Sequence, residues 1–305
     1  MGELSALGML LDSSRLRQLQ KSYTDSVERF VTDDAPDREL LSLVEEPFRS
    51  MEDVHDRLER LEATLLEQSD RRAVFLTIYT EMTAATIREI DAGTFIDPAW
   101  MERYLVQFAE YYRRAFYSYE RGAVDEVPDP WVVAFGTALQ RDALVMQDTL
   151  LGINAHINYD LALTLSDIGL DPDRPDKFAD HTRINEILRR LVSVQQDLLA
   201  RQYAPGLAGI GDRLGELDDL AAAVSLRTAR KQAWQIAVLR TDVEWLPVDR
   251  FTRWLLARST TGSAYLLLEP SASQATMETL HEIEANEFDL GAHALEFHDL
   301  VQDRL

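Results

Sequence analysis

From Trp131 to Ile168 the chain is apolar on every side of a helical wheel, yet Asn154, His156, Asn158 and Asp160 sit in its middle. At about 100° per residue, Phe135, Ala138, Leu144, Val145, Met146, Leu151, Ile153, Ile157 and Leu161 leave no face for water. A helix of that kind is covered by neighbours on several sides, so the rest of the fold is arranged around it. Its polar residues fall in two narrow stripes. Gln140, Gln147, Asn154 and Asn158 form one; Asp142, Thr149, His156 and Asp160 form the other. A buried polar group without a partner costs about 1–3 kcal/mol. At least one stripe is therefore expected to face a polar cavity or a ligand.

The remaining periodicity is also helical. Helices are expected over 14–32, 39–67 with an interruption near Pro47, 71–92, 176–203, 225–243, 249–258 and 275–304. Asp97-Pro98 and Asp129-Pro130 each pair an N-cap acid with a first-turn proline, and so open helices over 98–121 and 131–168. Gly169 and Pro172 close the second. Tyr265 to Leu268 reads as a lone strand, and the glycine-rich 204–219 stretch as a long loop or hinge. The expected fold is all-α: a multi-helix bundle with the 131–168 helix enclosed by 71–92, 98–121, 176–203 and 225–243. Composition does not shift along the chain, so residues 1–305 read as one domain, with a core at about 70–240 and a helical extension at about 245–305.

Hydrophobic residues make up 46% of the 305, enough for a large core, and no apolar run reaches membrane-spanning length. The N-terminus lacks the basic and apolar regions of a signal peptide, and cysteine is absent. This excludes disulfides and thiolate chemistry and suggests a cytoplasmic protein. A net charge of −22 argues against nucleic acid, because no basic face can be assembled to neutralise phosphates. Lys21, Lys177 and Lys231 are the only lysines among 31 basic residues. Acid-rich, lysine-poor composition resembles that of salt-accumulating archaea, and marks the charge as solvation in brine.

His156 and Asp160 stand four apart and share a helical face. Asp160 can fix the histidine tautomer for general-base work, or both can ligate one divalent metal ion such as zinc. The competing reading is a structural pair. Asp180 and Asn185, early in the next helix, are expected to meet His156 across the hairpin, together with Asn154. Asp180 joins His156 and Asp160 as a candidate catalytic group; Asn154, Asn158, Asn185, Arg230 and Trp234 are candidate ligand-binding residues. Arg230 and Trp234 are four apart, so the guanidinium is expected to stack near the indole. Glu52/His55 and Glu278/His281 fit the Glu-x-x-His spacing of di-iron bundles, at a frequency that an acid-rich chain produces by chance.

Gly152-Ile153-Asn154-Ala155-His156-Ile157-Asn158 with Asp160-Leu161 resembles the domain-of-unknown-function family 5995, an uncharacterised group of bacteria and haloarchaea. Phe75 to Thr83, Phe108-Ala109, Tyr112, Ala115, Asp180, Asn185, Arg230 and Ala233-Trp234 support the resemblance across about 70–240. It implies one structural unit and supplies no reaction. A fainter similarity is to helical enzymes of the zinc-dependent phospholipase C and nuclease type, which also set a His-x-x-x-Asp pair on a buried helix; their additional histidines are missing here. Two functions follow: a hydrolase-like enzyme centred on His156 and Asp160, or a non-catalytic helical protein that binds a small apolar ligand or serves as an interaction module.

Overall fold

A computed structural model describes residues 13–32, 35–203, 226–243, 245–269 and 274–304. The 204–219 stretch read as a hinge lies outside these. Helix starts follow the capping chemistry of the sequence. Asp37 accepts from Glu39 N and Leu40 N, Ser50 from Asp53 N, and Asp97 from Trp100 N at 2.9 Å with Pro98 in the first turn. Among the described residues the helices are α1 (Ser13–Thr24), α2 (Arg38–Val44), α3 (Met51–Glu67), α4 (Ala73–Asp91), α5 (Pro98–Glu120) and α6 (Asp129–Gln140). There follow α7 (Val145–Asn154), α8 (Leu161–Ile168), α9 (Arg174–Tyr203), α10 (Leu226–Asp242), α11 (Leu246–Leu268), α12 (Gln274–Glu287) and α13 (Leu290–Arg304). The fold is all-α, as expected.

The central segment is buried but is not one helix. Arg141 adopts a left-handed conformation, φ 59°, and ends α6; α7 restarts at Val145. A π turn, Ala155–Asp160, then separates α7 from α8. Each interruption rephases the wheel, so a single projection over 131–168 mixes three registers. Burial on all sides is nonetheless real, since every residue of α7 is buried. Asp129 is the first residue of α6 and not its cap. It lies 3.7 Å from Arg258.

Helices α4, α5, α10 and α11 pack around this segment. The fourth of these corrects the sequence reading, because α11 continues through Tyr265–Leu268, the stretch expected to be a strand. Ala264 and Leu267, three residues apart, are both buried in its last turns, a helical spacing that a short apolar run does not reveal. Helix α9 touches the centre more lightly, through Gln195 Nε2 donating to Thr149 Oγ1 at 3.3 Å. Two glycines make the packing possible. A Cβ on Gly262 would lie 1.7 Å from Gln18 O, so α1 and α11 meet backbone to backbone. A Cβ on Gly152 would lie 2.3 Å from Phe75 Cγ, so α7 admits that ring only as it stands.

Buried ion pairs tie the outer helices to the centre. Arg72 bridges Asp70 and Glu120 at 2.7 and 2.6 Å. Arg71 meets Asp148 at 2.8 Å and Glu284 at 3.2 Å, joining α7 to α12. His298 lies between Glu62 and Glu81, at 2.8 and 2.7 Å, and fastens α13 to α3 and α4. No described helix is long and apolar enough to cross a membrane.

Candidate functional site

The site is built on the π turn. Leu161 N–H reaches His156 O, five residues back, in place of the usual four. Such wide turns carry a cost and recur at functional sites. Two side-chain pairs emerge from it. Asn158 Nδ2 donates to Asn154 Oδ1 at 2.9 Å, while Asn154 Nδ2 donates to Thr260 O at 3.0 Å and locks the turn to α11. His156 Nδ1 lies 2.9 Å from Asp160 Oδ2, which also accepts the Trp131 indole N–H at 2.9 Å.

The imidazole is 2% exposed and enclosed by rings. Phe108 stacks on it at 3.6 Å with planes 6° apart, and Tyr79 meets it edge-on at 4.6 Å. Phe75, Tyr112 and Trp131 complete the box. Burial drives the electrostatics. It pushes the His156 imidazole well below its ordinary pKa and the Asp160 carboxyl well above its own, the latter opposed by the Trp131 hydrogen bond. Both shifts favour the uncharged forms, carboxylic acid beside neutral imidazole. With Oδ2 accepting from Nδ1–H and from Trp131, the ring nitrogen left over is an unprotonated Nε2 with a free lone pair.

Among the described residues, no group bonds that Nε2, nor Asp160 Oδ1, nor the Tyr112 hydroxyl. His156 lines an apolar cavity of about 70 Å³ between α4, α5, α7, α9 and α10, with Tyr79, Phe108, Ile153 and Ile157 among its walls. Burial raises the Tyr79, Tyr104 and Tyr112 hydroxyls above their ordinary pKa, so they serve as donors and not as bases. Thr83, also on the wall, is bonded to Tyr79 O.

The candidates separate into three places and do not form one polar cluster. Asp180 lies outside the His156 cavity. Its two oxygens accept from Ile96 N and Asp97 N at 2.9 and 2.8 Å, so it holds the chain ahead of α5. Asn185 accepts from Arg230 Nε at 2.7 Å. Arg230 Nη2 donates to His181 O at 2.5 Å, which directs the guanidinium there and not, as expected, along the indole of Trp234. Trp234 instead packs on Phe178 and His181. Arg230 does line the cavity that His156 lines.

Four partners escaped the sequence reading. Trp131 orients Asp160 from 29 residues away, and no local spacing announces it. Phe108 and Tyr79 entered only among the residues that carry the family resemblance, with no role at His156. His181 bonds the Tyr104 hydroxyl at 3.0 Å and was masked by its neighbour Asp180. The facing atoms of His156 and Asp160 bond each other, which leaves only Nε2 and Oδ1 open to a ligand. Among the described residues, the single trio of ligand-type side chains close enough to share an ion is His55, Asp56 and Glu59 on α3. Its histidine faces Glu59 and not the Glu52 of the Glu-x-x-His spacing.

Residues 51–270 match the family of unknown function DUF5995. The chain belongs to that family. The matched span exceeds the 70–240 carried by the quoted motifs and takes in α3 and α11, the latter bonded to the π turn through Thr260. No curated protein and no solved structure matches the chain.

Proposed function

We propose that the protein is an acid–base enzyme, hydrolase-like in character, acting on a small and largely apolar molecule with His156 as the base. One observation carries this reading. A fully enclosed imidazole, oriented by Asp160 and Trp131, keeps an unprotonated Nε2 that no described group satisfies, on the wall of a cavity. Buried polar atoms are nearly always bonded, and a chain that only packed would replace such a histidine. Asp160 sets the tautomer, and the rings exclude water so that proton transfer occurs at low dielectric. No side-chain nucleophile is needed where water or a substrate group gives up its proton to Nε2.

The carbon-rich cavity wall favours a second reading, an apolar-ligand binder without turnover. The two separate on one comparison. Short-chain p-nitrophenyl esters are offered to wild type, His156→Gln and Asp160→Asn. As an enzyme, the protein loses roughly 10²–10⁴-fold in kcat/KM on losing its base while keeping its fold. Turnover unchanged in His156→Gln sinks the catalytic reading. Turnover that survives chelation supports a reaction that runs without a metal ion. The composition supports a cytoplasmic protein of a cell rich in salt.

A further inference from the structure

Arg230 is 2% exposed, and among the described residues no carboxylate pairs with it. Its bonds go to neutral groups: Asn185 Oδ1, His181 O and the His181 ring at 3.3 Å. Arg72 and Arg113 are also buried, and each is matched by glutamate or aspartate. A buried cation without an anion is costly, by several kcal/mol after relaxation. Among the described residues no anion offsets that cost for Arg230, and it lines the cavity of His156.

A second observation points the same way. A groove of about 1170 Å³ runs along α4, α9 and α10, the helices that wall the cavity. Its residues alternate with cavity residues on α10, where Leu226 and Arg230 line the cavity and Arg227 and Lys231 line the groove. His181 and Asn185, the partners of Arg230, belong to the groove wall. Arg88, Arg183, Arg227 and Lys231 line it too, and none of them forms an ion pair among the described residues. Of its two acids, Glu89 and Glu186, the latter is engaged by Arg189 and Arg190. On a chain of net charge −22, a groove with this surplus of cations is against the trend.

We propose that the substrate is an amphiphilic anion: a short apolar group that enters the cavity beside His156, joined to a carboxylate or phosphate that Arg230 pairs with. The groove cations draw that anion in. This rests on the acid–base reading for the identity of the cavity as the reacting end, but the anion site stands independently of turnover. Arg230 offers a fork geometry suited to either oxyanion, and its position is fixed in advance by Asn185 and His181. The cavity, about 70 Å³, holds only a few carbons, so the apolar part is short or the walls yield.

The experiment is calorimetric titration of the full chain with hexanoate, hexyl phosphate and hexanol. Either anion should bind at least about tenfold more tightly than hexanol, and the preferred anion identifies the head group. Arg230→Gln should remove that margin. His156→Gln should keep it, which separates failure of the base from failure of the anion site. If Arg230→Gln does not fold, the pair Arg227→Gln/Lys231→Gln supplies the test, with anion affinity reduced roughly two- to tenfold and hexanol unaffected. Equal affinity for hexanol and the anions overturns the proposal. So does an anion margin that survives in Arg230→Gln.

Discussion

Replacing His156 by Phe should leave the protein as stable as wild type, or up to about 2 kcal/mol more stable, while abolishing function. The change removes the bond to Asp160, a net loss of about 1 kcal/mol. It also removes the burial of Nε2 without a partner, a recovery of about 1–3 kcal/mol. Asp160 is not left bare, because Trp131 still donates to Oδ2. The ring plane is retained against Phe108 and Tyr79. Phe is larger than His, and overpacking would ordinarily cost about 1–3 kcal/mol. Here the adjoining cavity takes the extra atom. His156→Ala lacks that compensation and leaves a void, so it should cost about 2–4 kcal/mol. Urea unfolding at pH 6, with m-values compared among the three proteins, measures this directly. A loss of more than about 3 kcal/mol in His156→Phe would show that the imidazole is a structural keystone, and its unsatisfied nitrogen would no longer point to a ligand.

The His156–Asp160 pair should give a stability contribution that is flat between about pH 3.8 and 6.5, since folded and unfolded forms then hold equal protons, and that falls on both sides. Below that window the unfolded histidine and aspartate together bind one proton more than the buried pair; above it the buried acid retains a proton the unfolded chain has lost. Difference curves between wild type and His156→Phe/Asp160→Leu test the shape. His298 is pushed up to about 10, since its bonds to Glu62 and Glu81 outweigh burial; its contribution is full below pH 6.5 and should vanish as pH rises through about 10, whereas His298→Gln should show no such slope. Gly152→Ala should cost about 1–3 kcal/mol by pressing on Phe75, read as a lowered melting temperature and a weaker His156 site. Melting temperature should rise steadily from dilute buffer to molar KCl as repulsion among the surplus acids is screened, and a flat response counts against the halophilic reading.

The helical fold was legible because its signals are local. Asp97-Pro98 marks the start of α5 through a side chain three residues from its donor. The break at 141–144 carries neither glycine nor proline, and Arg141 takes a left-handed conformation that its sequence neighbours do not request. The π turn leaves no trace either, since its hydrogen-bond shift is decided by what packs against it. Tyr265–Leu268 was ambiguous for the opposite reason: four apolar residues suit a strand or a buried helix equally, and the helix is chosen by contacts to the π turn and to α1. At the site, the four-residue spacing exposed His156 and Asp160, while Trp131 and Arg230 join them from distant helices. Asp180 shows where spacing stops being informative. A carboxylate at a core position is as able to cap a neighbouring backbone as to react, and only the acceptor geometry separates the two.

His156 and Arg230, both on the cavity wall, place opposite demands on a ligand. Burial favours the uncharged forms of His156 and Asp160, while Arg230 is buried with no carboxylate partner among the described residues. Burial pushes the imidazole below its ordinary pKa. An anion seated at Arg230, as proposed, would favour the imidazolium and so oppose that shift. The low dielectric between them makes the change larger than it would be in water. His156 then becomes the stronger base once substrate is seated. On that proposal binding and basicity are coupled through one guanidinium, so Arg230→Gln should depress turnover and raise KM together, while Asp160→Asn should act on turnover alone. A pH–rate profile of the Arg230 variant that matches wild type in shape would break that coupling.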